Sequence, residues 1–187
     1  MELKSILCVL FFLFINISVQ SQTELDAIMM NKNQFCNGLQ YTHSSWKNYW
    51  EGEHKRDNPN LGTLTTQSVM YMANYGITDN LNVMVGAPYI WTKPSAGNMS
   101  GMSGVQDISA FIKWRAYQHK LGKGKISLYA IGGLSTPISD YVIDFLPFSI
   151  GLGTTNLTAR GMVDYLIGKI NITGSASYIK RSNTELD

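Results

Sequence analysis

Five charged residues stand at alternate positions of two extended stretches: Asp107, Lys113 and Arg115 in the first, Arg160 and Asp164 in the second. Even spacings place them on one face of a β-strand. The opposite faces carry Ile108, Ala110, Ile112 and Trp114, then Leu157, Ala159, Val163 and Ile167. Charges lining the inside of a β-structure can do two things. In a wide, wet lumen they form a polar constriction that filters solutes. In a narrow one they pair with each other, because an unpaired buried charge is costly. Opposite signs on the same strand tilt the expectation toward internal ion pairs.

Catalytic patterns are thin by comparison. The histidines are His43, His54 and His119, and none has a cysteine or carboxylate at metal-ligand spacing. His54 shares a charged stretch with Glu51, Glu53 and Asp57, which reads as a solvated loop. In Thr42-His43-Ser44 the histidine and serine would point to opposite faces of a strand, which argues against a nucleophile–base pair. The stretch GLGTTN lacks the third glycine and the lysine of a nucleotide loop. The expectation is a protein that is not an enzyme, with no cofactor and no metal site.

The elements that would hold these residues are strands. Runs with period-two character fall near residues 34–50, 61–75, 81–91, 105–117, 125–137, 154–167 and 170–181, separated by turn formers. In Leu81 to Trp91 the odd positions are Leu, Val, Val, Ala, Tyr and Trp, and the even ones include Asn82, Gly86 and Pro88. The faces of the first run are not assignable. Long and short connections alternate strictly: EGEHKRDNPN, then GITDN; TKPSAGNMSGMSG, then QHKLGKG; ISDYVIDFLPFSIGLG, then Gly168-Lys169. An up-and-down barrel in an outer membrane sorts its loops this way, with long ones outside and short turns in the periplasm. A sandwich has no reason to. The fold class expected is therefore all-β, an antiparallel up-and-down transmembrane β-barrel. Seven strands leave such a barrel unclosed, so the chain reads as C-terminally truncated or as closing with partners.

Aromatics sort along the same axis. Trp46, Tyr49, Trp50, Tyr89 and Trp91 fall near the expected outer rim, and Tyr75, Trp114 and Tyr117 near the inner one, as two interfacial girdles would. The longest connection carries Tyr141, Phe145, Leu146, Pro147 and Phe148 and is a candidate gate over the mouth.

Composition agrees. Only 15% of residues are charged, against roughly 25% in a typical soluble domain, and a net charge of +2 with no basic stripe gives no electrostatic case for nucleic acid. The N-terminus, with Lys4, an apolar run from Ile6 to Ile17 and Val19-Gln20-Ser21, reads as a secretory signal covering residues 1–21, cut before Gln22. That leaves 22–187 as one domain with Cys36 as its lone thiol, so no intrachain disulfide framework.

The runs Tyr75-Gly76-Ile77-Thr78-Asp79-Asn80-Leu81-Asn82-Val83, Gly86-Ala87-Pro88-Tyr89 and Gly104-Val105-Gln106-Asp107-Ile108 carry a family resemblance, extended by Ser139-Asp140-Tyr141, Phe145-Leu146-Pro147 and Gly151-Leu152-Gly153. Over about residues 34–181 the chain resembles the outer-membrane transporter family named for the meta-pathway of phenol degradation. The resemblance implies a larger closed barrel among channels for small hydrophobic compounds; it supplies no functional residues. The partners expected are outer-membrane lipid and a small, in part hydrophobic, solute. Two other readings stay open: a structural or adhesive outer-membrane barrel, and a soluble secreted β-barrel that binds an apolar ligand.

Overall fold

Alternation over 12 to 15 residues makes long strands, and the chain folds into them. The computed structural model describes residues 22–145 and 147–184; the expected signal segment lies outside these. The strands are β1 (Phe35–Trp46), β2 (Asn48–Glu51), β3 (His54–Asp57), β4 (Leu64–Thr78), β5 (Leu81–Pro94), β6 (Ser103–Val105), β7 (Asp107–Leu121), β8 (Gly124–Pro137), β9 (Asn156–Ile167) and β10 (Ile170–Arg181). Eight form one antiparallel sheet in the order β1-β4-β5-β7-β8-β9-β10, with β6 pairing β5. The strands β2 and β3 form a separate hairpin, so the first expected run ends at Trp46 and its tail to residue 50 belongs to that hairpin. Each neighbour in the main sheet is next in sequence among the long strands, which is an up-and-down meander.

The sheet does not close. Its edges are β1 and β10, and both run from the short-turn end to the long-loop end, as an odd number of long strands requires. The all-β, antiparallel up-and-down arrangement is the one expected, and among the described residues the seven long strands leave β1 and β10 unpaired, as their odd number implied.

Its two faces are inverted relative to a water-soluble sheet. In β5 the even residues Asn82, Met84 and Gly86 are buried, while Val85 and Tyr89 are exposed. Register carries this parity across neighbours. Val85 pairs with Ala73 and Ala110; Trp114 and Ile112 of β7 oppose Ala130 and Gly132; Leu134 opposes Leu157. The outward rows therefore present Val85, Ile108, Ile112, Trp114, Leu128, Leu134, Leu157 and Val163, all exposed. The inward rows hold Asn74, Asn82, Lys113, Ser127 and Asp164, all buried. A continuous apolar exposed surface of this extent is anomalous for a protein in water.

Two irregularities adjust the pattern. A register shift between Arg115 and Tyr117 reverses the parity of β7, so that Tyr117 joins Leu128 on the outward face and Gln118 turns inward to donate to Ser127 Oγ at 3.1 Å. Pro88, which has no N–H for a ladder, sits where the neighbouring strand is interrupted. β5 pairs with β7 up to Gly86 and with β6 from Tyr89, and Gln106, in neither strand, donates its N–H to Pro88 O at 2.9 Å. A residue's N–H and C=O point the same way in an antiparallel ladder, so the missing donor faces the gap.

Candidate functional site

The inward face is covered by a segment that strand periodicity cannot reveal. Residues 22–33 cross the sheet as a strap, out from β4 and β5 to β9 and back. Its tip is a side-chain-closed turn in which the Thr23 hydroxyl donates to Asp26 Oδ2 at 3.0 Å and Ile28 N–H donates to Asp26 Oδ1 at 2.9 Å. Five strands reach it. Asn74 of β4 donates its amide to Gln22 Oε1, and the Asn82 amide of β5 lies between the Gln22 side chain and the Met30 peptide. Lys113 Nζ of β7 donates to Thr23 O at 2.7 Å, to Ile28 O at 3.1 Å and to Asp26 Oδ1 at 3.1 Å. Tyr129 of β8 donates to Ala27 O at 2.8 Å, and Arg160 of β9 donates to Glu24 O at 2.9 Å. Where the strap rejoins β1, Asn33 N–H donates to Gly76 O at 2.7 Å. A Cβ on Gly76 would overlap the carbonyl oxygen of Asn31, so only glycine lets the strap approach so closely here.

All five sequence-predicted charges occupy inward positions, but they are not paired with each other. Neither ion pair among the described residues joins two of them: one is Arg56–Glu51 in the β2–β3 hairpin, the other Lys113–Asp26. The expected internal pairing along the strands is corrected. Lys113, with a fully buried side chain, is neutralised by the strap. Arg115 clamps the β4–β5 turn through Asn80 Oδ1, at 2.6 and 2.9 Å, and Asp79 O, at 3.0 Å. Arg160 also donates to Ser177 Oγ at 2.6 Å, Asp164 accepts from Thr173 Oγ1 at 2.7 Å, and Asp107 accepts from Tyr141. The opposite charges on each strand, Asp107 with Lys113 and Arg160 with Asp164, are six and four positions apart, roughly 20 and 13 Å along an extended chain, too far to pair directly. The partner each finds comes from the strap, a turn, a loop or the adjacent strand.

The long loop between β8 and β9 folds back on the sheet's loop end. Phe148 and Ile150 are buried, Phe148 O accepts from Thr92 Oγ1 at 3.1 Å, and the Phe145 and Phe148 rings lie 5.3 Å apart. Tyr141 donates to Asp107 Oδ1 at 2.7 Å and accepts from Gly153 N–H at 3.0 Å. Burial, and then the bond to Asp107, push this phenol up to about 12, so it stays a neutral donor at physiological pH.

Of the girdle candidates, Tyr75, Trp114 and Tyr117 lie outward near the short turns, and Tyr89 and Trp91 outward toward the long loops, their rings 6.0 Å apart. Trp91 donates to Gln67. Trp46 departs from the set. It pairs with the buried Leu64, on the inward parity of β1, and meets Tyr49 edge-on at 6.4 Å. Trp50 stands exposed on the β2–β3 hairpin.

Between the strap and strands β1, β4 and β5 lies a cavity of about 380 Å³. Its lining includes Met70, Met72, Met84 and Phe111, Cys36 and Gly38 of β1, Asn74 of β4 and Gln22 of the strap. Sequence reasoning found neither cavity nor strap. The available signal was the inward parity of Asn74 and Asn82 and a turn-forming Thr23-x-x-Asp26. No family model, curated protein or solved structure matches the chain.

Proposed function

We propose that the chain is an exported outer-membrane β-barrel protein that admits small molecules, hydrophobic ones among them, through its interior. The observation that carries this reading is the inversion of the sheet: apolar rows outward and exposed, polar and charged rows inward and buried. In lipid that arrangement is the stable one, since the outer rows meet hydrocarbon and the inner ones meet water or each other. The outward aromatics near the two ends and the alternation of long and short connections add support, as does the resemblance to the phenol meta-pathway transporter family. In this reading β1 and β10 must be paired in the membrane, because unpaired backbone in hydrocarbon costs several kcal/mol per group. A direct β1–β10 seam would be parallel.

An interior occupied by a strap favours a second reading, a structural or adhesive barrel that conducts nothing. Planar-bilayer recording separates the two. The transport reading expects discrete conductance steps from the purified protein, and their absence together with unchanged solute uptake on gene deletion favours the structural barrel.

A further inference from the structure

Four sulfur-bearing residues line the cavity beneath the strap: Cys36, Met70, Met72 and Met84. Register places them around one point of the inward face. Met70 and Met72 are alternate residues of β4, while Cys36 of β1 and Met84 of β5 both sit opposite Asn74, on the diagonals of Met72. Diagonal neighbours have Cα atoms about 7–8 Å apart, within reach of a long side chain such as methionine. Directly across from Met72 stand Gly38 on one side and Gly86 on the other, which have no side chains to fill the space beside it. A Cβ on Gly38 would touch nothing within 4 Å, and one on Gly86 would lie 3.7 Å from Met70 Sδ, so that sulfur already leans over the glycine next to Met72. Methionine often fills apolar cores, but these thioethers border open volume instead of closing it.

We infer that this cavity binds a soft monovalent metal ion, Cu(I), through the Cys36 thiolate and the thioethers of Met72, Met84 and Met70. A thiolate with thioethers is the soft donor set that selects Cu(I). Binding releases the Cys36 proton to solvent, and the thiolate then cancels the charge of the ion, which leaves a neutral site, as an apolar interior requires. Glu24 is the one carboxylate among the lining residues and could offset a second positive charge. Thioethers, however, are poor ligands for the harder dications that would need it, and no group of three His, Cys, Asp or Glu suited to such an ion occurs among the described residues. The expectation of no metal site rested on histidines and carboxylates, and a thioether set lies outside that pattern. The site goes beyond the transport reading and does not depend on it.

The test uses the full protein refolded in detergent, with ascorbate keeping copper reduced and bicinchoninate as the coloured competing chelator. The protein is expected to withdraw one Cu(I) per chain from the chelator, to keep it against an excess of Zn(II), and to show a sulfur-only shell by X-ray absorption at the copper edge. Met70→Leu, Met72→Leu and Met84→Leu conserve volume, so the folded protein's faster gel migration before heating should persist in the triple variant. Its affinity for Cu(I) should nevertheless fall by about a hundredfold or more, since even an outer-shell partner of a metal is worth about 10–100-fold. Cys36→Ser should weaken binding to a similar degree. Failure to withdraw copper from the chelator overturns the site and leaves methionines that only pack. Loss in Cys36→Ser with the triple leucine variant unchanged overturns it too, because the metal would then sit on a bare thiol. A shell containing oxygen or nitrogen has the same consequence.

Discussion

Ile112→Arg is expected to lower the stability of the membrane-inserted protein by about 2–4 kcal/mol, the cost of arginine on the lipid face of a barrel near the midplane. Ile112 is 54% exposed on the outward face of β7, flanked by Val83 of β5 and Gly132 of β8. Nothing in the sheet obstructs a longer side chain there. On a water-facing surface the same change would be worth less than about 0.5 kcal/mol in either direction. The effect therefore reports the solvent of that face rather than packing. Urea unfolding of protein refolded into vesicles measures it, with Ile112→Leu as the control for side-chain shape. The neighbouring position sharpens the contrast, since Lys113 already carries a charge and the pleat turns it to the other side.

The second large effect lies on the inward face. Asp26→Ala removes the one carboxylate bonded to Lys113, whose side chain is fully buried, and leaves its ammonium with the carbonyls of Thr23 and Ile28 alone. Stranding a buried charge in this way costs about 3–5 kcal/mol. The same substitution also unties the turn that Asp26 closes with Thr23 and Ile28. Lys113→Met should be milder, because Asp26 is partly exposed and can take up water, and combining the two should cost less than the sum. Hydrogen exchange resolves the outcome by location. Amides of residues 23–31 should lose protection in Asp26→Ala, while the β7–β8 ladder keeps its own. Equal loss in both regions would mean that the strap and sheet unfold as one unit.

How far the sequence anticipated these features follows from the range of the interactions. Alternation is local, so the long strands were legible to within a few residues, and so was the parity of Leu81 to Trp91 and of both charged stretches. Parity then placed Asp107, Lys113, Arg115, Arg160 and Asp164 on the inward face without knowledge of neighbours. The partners of those charges were not legible, because they come from elsewhere in the chain: Asp26 is separated from Lys113 by 87 positions and Glu24 from Arg160 by 136. A one-residue bulge was equally hidden. It reversed the end of β7 and placed Tyr117 beside Leu128 for a reason that lies in the pairing with β8. The first strand resisted assignment because small and polar residues occupy both of its faces. Register with β4 resolves it, turning Phe35, Leu39 and Tyr41 outward and Cys36, Gly38 and Trp46 inward.

A membrane barrel requires that the exposed apolar rows face lipid. Spin labels at single cysteines, in a background with Cys36 replaced by serine, test it in vesicles. Labels at Val85 and Val163 report the outward rows and one at Trp50 the exposed hairpin. Strong relaxation by oxygen, which concentrates in hydrocarbon, is expected at positions 85 and 163, and strong relaxation by a water-soluble nickel chelate at position 50 alone. Relaxation of the labels at 85 and 163 by the chelate to the same degree as at 50 would contradict it.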